Sequence, residues 1–132
     1  MAIIPFRAGA GVAATSELEK AALMFVKGLS EALASQGSSF TIVPADQVDS
    51  ADLVIQGHIT TFKQLQGLKH RLLGKNQSIL KMEGKMVDQK TNKEVFYFVE
   101  QEASEKKDSD LKEFGLTIGR GVGEFMLDHV KK

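Results

Sequence analysis

Cysteine is missing from all 132 residues. That excludes disulfides, thiolate metal sites and cysteine nucleophiles together, while leaving the compartment open. Also lacking is any apolar run near the ~20 residues that a membrane-spanning helix requires. No basic region followed by a long apolar stretch opens these residues, so no signal peptide is expected among them. Net charge is lacking as well: 17 basic residues balance 17 acidic ones. A dedicated nucleic-acid binder carries a basic surplus, so no nucleic-acid partner is expected. Neither G-x-S-x-G nor a zinc-ligand spacing occurs, and His58, His70 and His129 fall on different elements.

What is present is ordinary for a globular protein. Hydrophobic residues make up 42% and charged residues 26%, enough for a core within one domain spanning residues 1–132. Ile3, Ile4 and Phe6 form a short apolar strand. Because that strand starts at once, Met1 is read as a start placed on a trimmed mature domain. Ser16 and Glu19 make a capping-box pattern, and Leu18, Ala22, Phe25, Leu29, Ala32 and Leu33 recur at helical spacing. A helix over about 16–36 follows, stopped by Gly37. Residues 40–43 read as a second strand, halted by Pro44.

From Asp52 onward the pattern alternates. Leu53, Ile55, Gly57 and Ile59 share one face of a third strand, and Leu80, Met82, Gly84 and Met86 one face of a fourth. Asp88 and Asn92 supply turn chemistry before a fifth strand. A four-residue loop, 89–92, puts Val95, Tyr97 and Val99 beside Met82 and Met86. Phe96 and Phe98 then emerge on the opposite, open face, whereas a three-residue loop would reverse the two sets. Asp110 and Glu113 begin a last helix, about 110–130, with the stripe Leu111, Phe114, Ile118, Val122, Phe125 and Met126. Gly115, Gly119 and Gly123 recur every four residues on it, a spacing that lets a helix approach another backbone closely.

The stretch "GLKHRLLGKNQS", 67 to 78, imitates a phosphate-binding loop without meeting its needs. Six residues separate Gly67 from Gly74, Asn76 stands where a magnesium-binding hydroxyl belongs, and a strand follows instead of a helix. It reads as the long connection of a hairpin. Leu68, Leu72 and Leu73 interleave there with Lys69, Arg71 and Lys75, which reads either as a solvated loop whose leucines fold back onto the core or as an element for docking on an acidic protein or an anionic membrane surface. Glu83, Glu100 and Glu102 lie among Lys81 and Lys85, which reads as charge pairing across strands and not as a catalytic acid pair.

Three quoted segments carry a family resemblance: "ADLVIQGHIT", then "RLLG", then "LKMEGKMVDQKTNKEV", between an opening "AIIPF" strand and a Gly-rich final helix. This layout resembles a group of small bacterial envelope lipoproteins of unknown function. It is also similar to the N-terminal domain of TolB and to the domains of CsgG and LpoB. Asn92 stands at that family's usual turn glycine, and the lipid-bearing cysteine is missing. The expected fold is α/β (α+β): a two-layer sandwich with a mixed five-stranded sheet, order 2-1-3-4-5, and two long helices on one face. The resemblance implies a non-enzymatic domain without cofactor, in the periplasm or on the periplasmic face of the outer membrane. The reading of the loop and of the open face, for its part, gives Leu68, Lys69, Arg71, Leu72, Leu73, Lys75, Phe96 and Phe98 as the residues that would bind an envelope protein partner. A homodimer through the open sheet face and peripheral contact with an anionic membrane are further expectations. The competing reading is a small-ligand or nucleotide-binding protein, including an enzyme; for location it is the cytoplasm.

Overall fold

The computed structural model describes residues 2–4, 6–35, 45–63, 78–104 and 110–129. The expected segments 40–43 and 67–77 lie outside them. Strands β1 (Ala2–Ile3), β2 (Arg7–Ala8), β3 (Leu53–Lys63), β4 (Ser78–Asp88) and β5 (Lys93–Ser104) form one mixed sheet. Its order is β1-β3-β4-β5, with β2 also on β3. Helices α1 (Ser16–Ser35) and α2 (Leu111–His129) pack together on one face of it. This is the expected mixed sheet with two helices on one side. The partition of its strands differs, because the opening segment contributes two short strands instead of one.

Both short strands run parallel to β3, and β3, β4 and β5 are mutually antiparallel. From Ile3 to Arg7 is four residues, whereas their partners Ile55 and His58 are three apart. The extra residue interrupts the opening strand and delivers Phe6 to the core, where it is buried. A second insertion falls at Thr60, since Ile59 pairs with Met82 and Thr61 with Lys81. A third falls at Val95, since Val87 pairs with Glu94 and Met86 with Phe96. Each such bulge bends its strand and exchanges the faces beyond it.

The third bulge corrects the expected register. Lys93 does pair with Asp88, so the loop is the four-residue 89–92. Asp88 accepts hydrogen bonds from the backbone N–H of Lys90 at 2.9 Å and of Thr91 at 3.4 Å. Asn92 adopts φ 57°, as its turn role requires. The residue inserted at Val95 then sends Phe96 and Phe98 to the helix side. Phe98 is buried and Phe96 packs against the core, while Val95, Tyr97 and Val99 are exposed.

Phe98 belongs to an aromatic cluster that fills the space over two glycines. Gly57 and Gly84 face each other across β3 and β4. A Cβ on Gly57 would lie 2.8 Å from the Phe6 ring, and one on Gly84 2.9 Å from the Phe98 ring. The ring of Phe6 lies 4.7 Å from that of Phe25 and 6.1 Å from that of Phe98, distances favourable for aromatic pairs. The glycines give up side-chain volume so that three phenylalanines can sit on the sheet. Around them the expected stripe of α1 is buried, and so are Leu111, Ile118, Val122 and Met126 of α2.

The first capping assignment moves by one residue. Thr15, not Ser16, caps α1: its Oγ1 accepts the Leu18 N–H at 3.1 Å, and its carbonyl accepts the Glu19 N–H at 3.1 Å. Asp110 caps α2 as expected, accepting the Lys112 N–H at 2.9 Å. Thr15→Ala should therefore cost about 1 kcal/mol of stability and Ser16→Ala a few tenths at most, by chemical denaturation. The reverse order would return the cap to Ser16.

A smaller core closes part of the sheet's other face. Ala2, Ala51 and Val54 are buried there beneath Val48 of a 3-10 helix, Ala45–Ser50. Gln89 fastens this corner: its Nε2 donates to the Ala51 carbonyl at 2.8 Å and to the Val48 carbonyl, and its backbone N–H reaches Asp52 O at 2.9 Å. Beyond Val54 neither helix covers that face.

Candidate interaction surface

The part of the sheet left uncovered among the described residues is the candidate site. Cross-strand register builds it in two rows: Arg7, His58, Glu83 and Val99 in one, Gln56, Lys85 and Tyr97 in the other. All of these but Val99 line, together with Glu94, a shallow depression of about 570 Å³. Tyr97 lines it from the outer strand, 54% exposed, with Val95 at 40% and Val99 at 46%. Partial desolvation raises the phenol's pKa above its ordinary value, and the negative charges of Glu83 and Glu94 raise it further. Tyr97 thus stays a neutral phenol, suited to amphipathic contact with a partner.

The glutamates expected to cluster with Lys81 and Lys85 do not converge. Glu83 shares the open face with both lysines. Glu100 and Glu102, by contrast, pair with Met82 and Leu80, whose side chains face the helices. The Val95 bulge separates them. Among the described residues no three His, Asp or Glu side chains are placed to hold a metal, and no helix is long and apolar enough to cross a membrane.

A second cleft, of about 580 Å³, opens where both helices begin, between the Gly11–Thr15 loop, Thr61–Lys63 and Asp110. Thr15 and Asp110 already take up backbone donors at the two helix starts. Those donors are thereby less available to a ligand.

Of the residues singled out from the sequence, Phe96 and Phe98 lie on the helix side, so the aromatic of the open face is Tyr97. Leu68, Lys69, Arg71, Leu72, Leu73 and Lys75 lie outside the described residues. The glycine stripe does what its spacing suggested. Cβ atoms on Gly115 and Gly119 would meet the carbonyl oxygens of Ala21 and Phe25 in α1. Val95, Tyr97 and Val99 were legible as an alternating set, but the bulge that exposes them has no mark in the pattern.

No protein-family model matches the chain. No curated protein sequence is recognisably similar to it. Solved structures are similar in fold. The PelC dodecamer from Paraburkholderia phytofirmans superposes with a TM-score of 0.65 at 11% identity, covering 92% of this chain and 82% of that one. Protein XCC0632 from Xanthomonas campestris gives 0.64 at 9% identity, covering 97% and 82%. Lipoprotein GNA1162 from Neisseria meningitidis gives 0.57 at 11% identity, covering 96% of each chain. The chain therefore shares the fold of these three proteins, one of them a lipoprotein, over nearly its whole length.

Proposed function

We propose that this chain is a non-enzymatic interaction domain of the bacterial cell envelope, acting in the periplasm or on the periplasmic face of the outer membrane. It would bind a protein partner in envelope assembly through the open face of its sheet. The observation that carries this reading is the cluster of Val95, Tyr97 and Val99, all at least 40% exposed on a face that neither helix covers. Three neighbouring large apolar side chains on one strand form the kind of patch that marks an interface. Tyr97 adds an aromatic anchor of the type enriched at binding hot spots. The likeness in fold to a lipoprotein and to a protein that forms a dodecamer supports both the location and the role in assembly.

Crosslinking in intact cells with an amine-reactive reagent, followed by mass spectrometry, tests the reading. Lys81 and Lys85 stand on the open face, in register with Gln101 and Tyr97. Lys20 and Lys27 are exposed on α1. Crosslinks to envelope proteins should come from the first pair. Links confined to the second pair would put the partner on the helices, and recovery of the protein in the cytoplasmic fraction would end the envelope reading.

A further inference from the structure

The outer strand of the sheet carries a segment that reads the same in both directions. Residues 94 to 100 are Glu-Val-Phe-Tyr-Phe-Val-Glu, centred on Tyr97. β5 ends the sheet, and among the described residues no strand pairs with its outer side. Edges are usually guarded by lysine, proline or inward charges. Residues 95 to 99 contain none of these, and charges only flank them.

We propose that this edge pairs with β5 of a second copy of the chain, antiparallel, about a two-fold axis through Tyr97. A two-fold sets residue i opposite j and j opposite i. A palindrome makes each of those pairs a match: Tyr97 with Tyr97, Phe96 with Phe98, Val95 with Val99. Residues opposite one another share a sheet face. Phe96 and Phe98 both stand on the helix side, in register with Met86 and Gly84, while Tyr97 is on the open side. A slip of one residue would set Tyr97 against phenylalanine and mismatch the faces. A slip of two would set Phe96 or Phe98 against a glutamate. The matched register alone keeps every central pair apolar.

Both sides of the edge contribute surface. Val95, Tyr97 and Val99 lie on one side; on the other is Phe125, 43% exposed, its ring 5.3 Å from that of Phe96. Glu94 and Glu100 of opposing copies approach at each end. The bulge assigns them to different faces, so their charges flank the pairing without meeting. Their remaining repulsion is screened by salt, so dimerisation should strengthen with ionic strength. The paired surface is small beside the roughly 1,200–2,000 Å² of a standard complex. A reversible, concentration-dependent dimer follows, whose two open faces join into one.

The test is sedimentation velocity on the purified full chain, from low micromolar to near-millimolar concentration. It needs no envelope partner, so its failure is separate from failure of the reading above. Wild type should pass from monomer to dimer. Tyr97→Lys and Tyr97→Glu each put like charges across the axis and should weaken dimerisation roughly tenfold or more. An equimolar mixture of the two sets lysine against glutamate and should recover a heterodimer. Tyr97 is more than half exposed, so circular dichroism should find both variants folded. Should either unfold, hydrogen exchange on wild type still decides, through protection of amides 95–99 that rises with concentration. A wild type that stays monomeric, variants that dimerise as wild type does, or a mixture that does not associate would each overturn the two-fold pairing.

Discussion

Gly119→Ala should destabilise the protein by about 1–3 kcal/mol, although alanine is the better helix former by about 1 kcal/mol. A Cβ at position 119 would lie 2.1 Å from the Phe25 carbonyl oxygen and 2.9 Å from the Leu29 backbone nitrogen. Both atoms belong to the main chain of α1, so no rotamer change relieves the clash and the helices must part. Parting them would loosen neighbouring contacts of the same kind, at Gly115 against the Ala21 carbonyl oxygen and at Gly28 against that of Leu116. The Arg120–Glu31 ion pair between the helices, at 3.1 Å, is too exposed to compensate. Gly121 supplies the control, because a Cβ there meets nothing within 4 Å. Gly121→Ala should stabilise by up to about 1 kcal/mol, through propensity and reduced freedom of the unfolded chain. Urea denaturation of the two variants measures both. Shifts of the same sign would mean that the helices are not held by backbone contact at the glycine stripe.

That stripe was legible in the sequence because a four-residue repeat of glycine within a helical pattern has few other uses. The apolar faces of both helices and the alternation of β3 and β4 were legible for a related reason. Each is a period repeated often enough to outweigh exceptions. The turn from Asp88 to Asn92 was readable from side-chain chemistry alone, since the first accepts backbone donors and the second tolerates positive φ. The failures in the strands share one cause. Single residues are inserted near Phe6, at Thr60 and at Val95, and a period-two reading cannot accommodate an insertion. Around β5 the local signal is also symmetric: in Val95-Phe96-Tyr97-Phe98-Val99 either alternating set could serve as core. Volume decides it. The space over Gly57 and Gly84 admits large flat rings, and only pairing in three dimensions brings those glycines together. The cap of α1 slipped by one because Thr15 and Ser16 are both capping residues and stand side by side.

Adjacent substitutions on β5 put that register to a measurement. Phe98→Ala should cost about 3–5 kcal/mol, the usual loss for removing a buried ring. Tyr97→Ala should change stability by within about 0.5 kcal/mol, as surface substitutions do. Phe98 is 8% exposed, and its ring lies 6.0 Å from that of Phe25, 6.1 Å from that of Phe6 and 6.1 Å from that of Phe96. Removing it takes a wall from three aromatic neighbours at once and uncovers Gly84, which has no side chain to fill the gap. Tyr97 is 54% exposed and gives up only surface contacts. In the unbulged register the two costs would be exchanged, with Tyr97 in the core and Phe98 in solvent. Urea titration at low protein concentration, where association does not contribute, separates the alternatives. A larger loss for Tyr97→Ala than for Phe98→Ala would remove the Val95 bulge, and with it the open face built from Val95, Tyr97 and Val99.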